Sequence, residues 1–350
     1  MNHTFPIGST DLRITLITEK PNTARVVARV AHDMWPNDTL EHVVIWPTGV
    51  YAPPLPRGLK WKDYPFIAPF DERGFIGRSE AGYKRLQTPL VSNWNNNELH
   101  FEGHWEKFDQ HIKQADRLIC VSDPSPCAYH FEVACQKLLG RGAREGEVRL
   151  LSSLDRPTLW KTLQGSTPSD DERVARLIEQ GRVRRYFDHQ FALNSLSVLG
   201  AWLGTGGGWI SKYQLQLLYA LRNQEPATDA VWWTRMHQWR GTGKYCPEEH
   251  SPLVSLGSTM SIGLIFEQAI DHGWVHKEIK GSKAILGLSR KGSTLLDRLH
   301  PGCEDADLPY RLHQWALMGL GKSRGPIDRY IRTFFGRQKD FMEKRQLHHP

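Results

Sequence analysis

Short β-branched segments alternate with helical segments in the first part of the chain, and this alternation constrains the fold more than any other feature. Arg13–Thr18, His42–Trp46 and Arg117–Ser122 are apolar runs bounded by charged or turn residues, which is typical of strands. Between the first two, Thr23–Met34 carries apolar residues at helical spacing. Strands that alternate with helices favour a parallel sheet covered by helices on both faces. We therefore predict an α/β domain over residues 1–165.

The remaining elements of this domain follow from the same patterns. Residues 47–97 are rich in Pro, Gly and aromatic residues and are expected to form loops that lie on the core. The further predicted elements are helices at Trp105–Gln114, Ala128–Leu139 and Arg156–Leu163 and a strand at Glu147–Leu150.

Long helical patterns dominate the chain after this domain. The predicted helices are Asp170–Leu203, Ser211–Asn223 and Thr259–His272. Residues 263–299 then show the pattern of a helix, a turn, two short polar strands and another helix. This order of elements is similar to that of a winged helix. We therefore predict a mainly helical region over 166–255 and a winged-helix-like module with a basic tail over 256–350.

Basic residues are concentrated at the end of the chain. The formal net charge is +7, and residues 321–350 hold eight Lys and Arg against three acidic residues, a difference of +5. Such a concentration attracts a polyanion because each neutralised phosphate releases condensed counterions. A solvated helix face is the alternative interpretation. The DNA contacts predicted in this part of the chain are Lys291, Lys322, Arg324, Arg329 and Arg332.

Cysteine usage and hydropathy indicate a cytoplasmic protein. The chain has five cysteines and no CxxC pair, which favours buried free thiols in a reducing compartment. It has no long apolar run typical of a membrane span, and its first residues lack the pattern of a signal peptide. We therefore expect cytoplasmic localisation without membrane contact.

Acidic residues follow two of the predicted strands. Glu19 comes after the first strand and Asp123 after the strand that contains Cys120. Sites in open α/β sheets form beyond the carboxyl ends of the strands, where this pair would be suited to hold Mg²⁺. Lys20 would then steady a phosphate as a point charge. The alternative is that both carboxylates cap the helices that follow.

Two Gly- and Lys-containing segments superficially suggest phosphate-binding loops. Residues 204–212 contain three consecutive glycines but lack the closing Gly-Lys-Ser/Thr, and residues 321–323 have that ending but lack the first glycine and a preceding strand. We expect both to be ordinary loops.

Several segments resemble bacterial type IA DNA topoisomerases of the topoisomerase III kind. Leu16–Arg25 resembles the family's first strand, which ends in Glu-Lys-Pro-Ser and runs into a helix. The further similar segments, in the same order as in the family, are Ile45–Val50, Tyr64–Ile67, Leu118–Leu138, Arg185–Asn194 and Gln214–Leu221. The resemblance implies a Toprim-like, Rossmann-like α/β domain, a following helical region and a last domain that contacts DNA.

The most informative similarity lies around the family's catalytic tyrosine. Trp232-Trp233-Thr234-Arg235 and the later Tyr245–His250 fall where the family has Tyr-Pro-Arg-Thr-Asp and then Tyr-Leu-Pro-Glu-Glu. Arg235 corresponds to the arginine that stabilises the phosphate, so Glu19, Lys20, Asp123 and Arg235 would form a remnant catalytic site.

The departures from the family pattern concern the chemistry. The nucleophilic tyrosine corresponds to Trp233, and an indole has no nucleophilic oxygen. Ser125, Cys127 and Tyr129 replace three acidic residues of the metal motif, so Glu19 and Asp123 alone would bind Mg²⁺ weakly. Little room also separates the predicted helix near Leu199 from the one at Gln214, so most of the family's arch that encloses the DNA gate is expected to be missing. The sequence therefore predicts a shortened relative that has lost strand cleavage.

Three functions remain open at this point. The first is a non-cutting protein that binds single-stranded or junction DNA through Trp232, Trp233 and Trp239 interleaved with Arg235 and Arg240, since such surfaces stack bases at about 1–3 kcal/mol each. These tryptophans are alternatively core residues. The second is an active topoisomerase that uses Tyr219 or Tyr245, or a Mg²⁺-dependent nuclease. The third is a protein-interaction subunit of a plasmid or mobile-element DNA-processing complex.

Overall fold

A computed structural model describes residues 11–18, 20–44, 58–70, 90–95, 98–103, 105–122, 146–165, 171–199, 210–242, 254–257 and 259–345. The chain divides into two compact units. One comprises Met1–Pro54 with Phe70–Arg182, and the other comprises Leu55–Pro69 with Val183–Pro350. Among the described residues, no helix is long and apolar enough to cross a membrane.

The first unit is built on a six-stranded sheet. Its strands are β1 (Arg13–Thr18), β2 (Thr39–Val44), β3 (Leu90–Asn95), β4 (Glu98–Gly103), β5 (Arg117–Ser122) and β6 (Glu147–Leu150). The strand order is β4-β3-β2-β1-β5-β6. Strands β2, β1, β5 and β6 are parallel, which confirms the predicted parallel sheet.

Helices cover both faces of this sheet. They are α1 (Pro21–Met34), α2 (Trp105–Gln114) and α3 (Arg156–Gln164). Ile14 and Leu16 of β1 are fully buried in a cluster that includes Val27 of α1 and Leu159 of α3. On the opposite face, the hydroxyl of Thr15 donates a hydrogen bond of 3.1 Å to the carbonyl of His111 in α2. This alternation follows from the two-residue period of a strand.

The hairpin of β3 and β4 lies within and beside a stretch that the sequence analysis assigned to loops. β3 pairs antiparallel with β2 and with β4, and Trp94 faces Leu99 across the hairpin. The pattern was obscured because Ser92 and Asn93 are consecutive polar residues that interrupt the apolar residues of β3, which therefore lacks the regular alternation typical of a strand. Pairing with the edge of the parallel sheet overrides that local preference.

The second unit is mainly helical. The helix α4 (Glu172–Val198) enters it at Val183. Its other elements are α5 (Lys212–Arg222), β7 (Ala227–Thr228), α6 (Asp229–His237), α7 (Thr259–Asp271), β8 (Val275–Lys280), β9 (Lys283–Leu288), α8 (Arg290–Asp297), α9 (Leu308–Met318) and α10 (Leu320–Lys344). The three short strands form an antiparallel sheet in the order β7-β9-β8. The predicted helices at 211–223 and 259–272 are confirmed within one residue at each end.

Residues 321–323, which were expected to form a loop, lie inside α10. The two helices are separated two residues earlier, at Gly319. Its φ of 77° ends α9, and α10 begins at the next residue. Ser323 is fully buried and donates a hydrogen bond of 2.7 Å to the carbonyl of Gly319. The helix begins there because Leu320 and Ile327 start its buried face.

An extended segment from Phe66 to Ala68 is bound to α4 within the second unit. The side-chain amide of Gln190 accepts from the Ala68 N–H and donates to the Ala68 carbonyl, both at 2.9 Å. Asn194 does the same with Phe66, both at 2.8 Å. Because each amide supplies a donor and an acceptor, the two side chains make the hydrogen bonds to the backbone of Phe66 and Ala68 that a neighbouring strand would make in a sheet. Two of the segments on which the family resemblance was based therefore meet here.

Candidate nucleic-acid interface

Helices α5 and α6 are held at their starts by local capping. Ser211 accepts a hydrogen bond of 3.1 Å from the Gln214 N–H, and the side chain of Gln214 accepts one of 2.8 Å from the Ser211 N–H. Thr228 caps α6 by accepting a bond of 3.3 Å from the Val231 N–H. These caps satisfy N–H groups that have no partner within the helix, so both helix starts are fixed in position.

Neighbouring tryptophans of α6 lie in opposite environments. Trp232 and Met236, one turn apart, are fully buried, whereas Trp233 is 40% exposed. The guanidinium of Arg235 lies 4.7 Å from the centroid of the Trp232 ring. This separation allows a cation–π attraction, which holds the arginine against the indole.

An open cavity of about 400 Å³ is lined by α5, α6 and the segment before α9. We call the buried lining residues the floor of the cavity and the exposed ones its rim. The floor includes Gln216, Tyr219, Trp232 and Trp239, and the rim includes Asn223, Gln238, Arg240 and Glu304. The structure thus brings together four of the predicted DNA-contact residues, Trp232, Arg235, Trp239 and Arg240, around one cavity. Trp233 lies outside this set.

The segment after α6 forms a fixed wall of the cavity. The indole N–H of Trp239 donates a hydrogen bond of 2.7 Å to the carbonyl of Ala306, and the hydroxyl of Tyr310 donates one of 2.6 Å to the carbonyl of Trp239. Asp307 accepts a bond of 2.6 Å from the Thr242 N–H. A Cβ at Gly241 would collide with the Asp307 carboxylate, so only glycine permits this close approach.

Five polar atoms around this cavity have no hydrogen-bond partner within the described ranges of the chain. They are both side-chain amide atoms of Gln216, the hydroxyl of Tyr219, the indole N–H of Trp232 and one terminal nitrogen of Arg235. Gln216, Tyr219 and Trp232 are each at most 3% exposed. An unsatisfied buried polar group costs about 1–3 kcal/mol, so such a concentration is unusual for purely structural residues.

The buried hydroxyl of Tyr219 is poorly suited to nucleophilic attack. Burial raises the pKa of Tyr219 well above its ordinary value, so the phenol stays protonated at neutral pH. The other tyrosine considered as a nucleophile, Tyr245, lies outside the described residues. At the position that corresponds to the family nucleophile, the ring of Trp233 packs edge-on against His237 at a centroid distance of 5.1 Å.

The long helix α10 carries its buried and basic residues on different sides. Between Gly321 and Arg337 every exposed charged residue is basic. These residues are Lys322, Arg324, Arg329, Arg332 and Arg337. Lys322, Arg329 and Arg337 recur at seven and eight residues, which is about two helical turns and places them on one face.

Two of the basic residues predicted to contact DNA outside the cavity, Arg324 and Lys291, have intramolecular partners. Arg324 lies with its guanidinium 5.4 Å from the ring centroid of Tyr186. Lys291 donates a hydrogen bond of 2.7 Å to the carbonyl of His272 at the end of α7. Both side chains are exposed, but these contacts give them structural roles as well.

The proposed remnant metal site falls largely outside the described residues. Glu19 and Asp123 both lie in undescribed positions, whereas Lys20 is described and precedes α1 with an extended backbone. Among the described residues, no group of three or more His, Cys, Asp or Glu side chains is arranged to hold a metal ion.

Gln216 on the cavity floor and the residues of the far wall were not found from the sequence, and Tyr219 was considered only as a nucleophile. Gln216 and Tyr219 lie in a helix that is buried over residues 214–221, and the signal available was a glutamine inside an otherwise apolar run. Glu304 and Ala306 come from a segment more than sixty residues after α6, so no local pattern connects them to the tryptophans.

Comparisons with known proteins leave the family resemblance as a prediction. A scan against protein-family models finds no match to this chain, and a search of curated proteins finds none.

Proposed function

We propose that this protein binds single-stranded DNA in an accessory role, as a shortened relative of type IA topoisomerases that does not cut strands. The observation that carries the proposal is that every exposed charged residue of α10 between Gly321 and Arg337 is basic. Lys322, Arg329 and Arg332 form no ion pair within the described residues. Three unpaired cations on one rigid helix form a surface that attracts a phosphate backbone.

The charge of α7, the helix that would contact a DNA duplex, favours single strands over duplex DNA. The element order α5, β7, α6, α7, β8, β9 and the sheet order β7-β9-β8 are those of a winged helix, which we propose this segment to be. In modules of this kind the helix before the hairpin reads the major groove. Here α7 contains no Lys or Arg and exposes Glu267 and Asp271, which repel phosphate. Groove reading by α7 is therefore disfavoured.

The chemistry of the site supports binding without cleavage. Trp233 lacks the oxygen needed for a covalent bond to phosphate. Tyr219 is buried with a raised pKa, which opposes formation of the phenolate. The protein would keep Arg235 as a phosphate contact without a nucleophile beside it.

The donor set of the remnant metal motif does not fit a Mg²⁺ site. Mg²⁺ prefers oxygen ligands, mostly carboxylates together with substrate phosphates. Ser125, Cys127 and Tyr129 stand where the family has acidic residues, which leaves Glu19 and Asp123 as the carboxylates of the motif. The proposed function therefore does not depend on a metal ion.

The proposal is tested by measuring the affinity for fluorescent oligonucleotides as a function of salt. Binding to a single strand should weaken by at least about 10-fold between about 50 and 200 mM salt, which corresponds to three or more phosphate contacts. A duplex of the same sequence should bind more weakly. Absence of binding at low salt, or equal salt-insensitive binding of both, would overturn the proposal.

A protein partner is the second candidate, favoured by a specific observation on α7. Leu264 is 57% exposed and shares this helix with the exposed Glu267 and Asp271. The acidic side chains repel a phosphate backbone, so an exposed leucine beside them is better suited to a protein contact than to a DNA contact. Leu264→Glu should abolish a partner complex and leave the affinity for oligonucleotides unchanged.

A further inference from the structure

We propose that the cavity between α5 and α6 is a binding pocket for one nucleobase together with its attached phosphate. This inference rests on the proposed function where the base belongs to a single DNA strand. A free nucleotide offers the same chemistry, so the experiment below distinguishes the two sources.

The unpartnered atoms are themselves buried, so a ligand bonds to them only when side chains at the rim move aside, and they then define what the ligand must supply. The amide of Gln216 offers a donor and an acceptor side by side, and Tyr219 offers a hydroxyl that can do either. Trp232 and Arg235 offer only donors. The ligand must therefore present a neighbouring donor and acceptor to the glutamine and further acceptors to the remaining groups.

A nucleobase matches this inventory. The edge of each base carries adjacent donors and acceptors, and glutamine forms paired hydrogen bonds with such an edge. The extra donors of Trp232 and Arg235 would be satisfied by ring nitrogens, carbonyl oxygens or the phosphate. Arginine and indole groups of this kind commonly bind or stack nucleotides.

The size and charge of the cavity agree with a single nucleotide. Its volume of about 400 Å³ lies at the lower end of the range for small-molecule sites, about 300–1,000 Å³. Its charged lining residues are Arg235, Arg240 and Glu304, two cations against one anion. Glu304 accepts a hydrogen bond of 2.6 Å from the side chain of Asn223, which holds its carboxylate at the rim.

The decisive variant is Gln216→Met, which keeps the shape of the side chain and removes both unpartnered atoms. If these atoms serve a ligand, the variant should melt at a higher temperature than the wild type without nucleotide and bind nucleotide about 10-fold more weakly or worse. Gln214→Met is the matched control. Its amide is already bonded to Ser211 and Gln268, so that variant should melt lower and keep the wild-type affinity.

The probes are the four deoxynucleoside 5′-monophosphates, inorganic phosphate, and an oligonucleotide with and without a central abasic site, all followed by calorimetry. At least one monophosphate should bind more tightly than phosphate alone, and the abasic site should weaken oligonucleotide binding if the base comes from a strand. Monophosphate binding without an effect of the abasic site would assign the pocket to a free nucleotide and support it.

Other outcomes separate this inference from the proposed function. Salt-dependent oligonucleotide binding that is unchanged by Gln216→Met, with no monophosphate binding, would overturn the pocket and leave the function standing. Monophosphate binding that depends on Gln216, without any oligonucleotide binding, would support the pocket and overturn the proposed function. A lower melting temperature for Gln216→Met with unchanged affinities would show that Gln216 is structural and would also overturn the pocket.

Discussion

Removing charge from the exposed face of α10 should reduce the salt dependence of DNA binding by a predictable amount. The perturbation is the triple variant Lys322→Ala, Arg329→Ala and Arg332→Ala. All three side chains are exposed, and none forms an ion pair within the described part of the chain. Alanine favours helix, so folding stability should change by no more than about 0.5 kcal/mol per site.

The magnitude follows from the number of contacts removed. For a single strand, the logarithm of the affinity falls with the logarithm of salt at about 0.7 per neutralised phosphate, so three lost contacts reduce the slope by about 2. Over a fourfold rise in salt, the wild type should therefore lose about 20-fold more of its affinity than the variant. This difference is large enough to measure by fluorescence anisotropy.

A matched control separates local contacts from the overall charge of the protein. Lys161, Arg173 and Arg176 are exposed basic residues of the first unit, and their triple alanine variant removes the same charge elsewhere. It should keep nearly the wild-type slope. Equal slopes for both triple variants would refute the assignment of the binding face to α10, as would a wild-type slope in the α10 variant.

Three further predictions concern the stability of the fold. Burial lowers the pKa of His42 to about 3, so the folded state opposes protonation of this side chain. The free energy of unfolding should therefore fall as the pH drops below about 6.5, by about 3 kcal/mol near pH 4. Urea denaturation should show this loss, and His42→Asn should reduce it. Tyr310→Phe removes the bond to the carbonyl of Trp239 and should cost about 1–3 kcal/mol by the same assay, whereas an unchanged midpoint would contradict a fixed cavity wall. Asn194→Leu leaves both polar groups of Phe66 without their partner and should cost about 2–4 kcal/mol in thermal unfolding, and a neutral effect would show that this segment does not depend on the side chain.

The parallel sheet was predictable from sequence because its strands are buried on both faces. Ile14, Leu16 and Ile119 are fully buried and belong to continuous β-branched runs, which local patterns identify well. The β3–β4 hairpin was missed since β3 mixes apolar residues with Ser92 and Asn93, and its strand conformation depends on pairing with β2. Such long-range pairing leaves no clear local signal.

The candidate site was predictable only in part. The basic residues of α10 were apparent because charge is visible in the sequence, and Arg235 was found through the family resemblance. The different environments of Trp232 and Trp233 depend on which face of α6 is packed. The cavity was not predictable, since its wall depends on the contact of Trp239 with Ala306, 67 residues later.

The most direct test of the central claim measures binding and covalent attachment in the same sample. The protein is mixed with a labelled single-stranded oligonucleotide and Mg²⁺ at low salt; one half is analysed by native electrophoresis and the other is denatured and analysed by mass spectrometry. We expect a shifted native band and, after denaturation, protein of unmodified mass with intact DNA. A protein mass increased by a DNA fragment, with a phosphodiester on any tyrosine, would contradict the account.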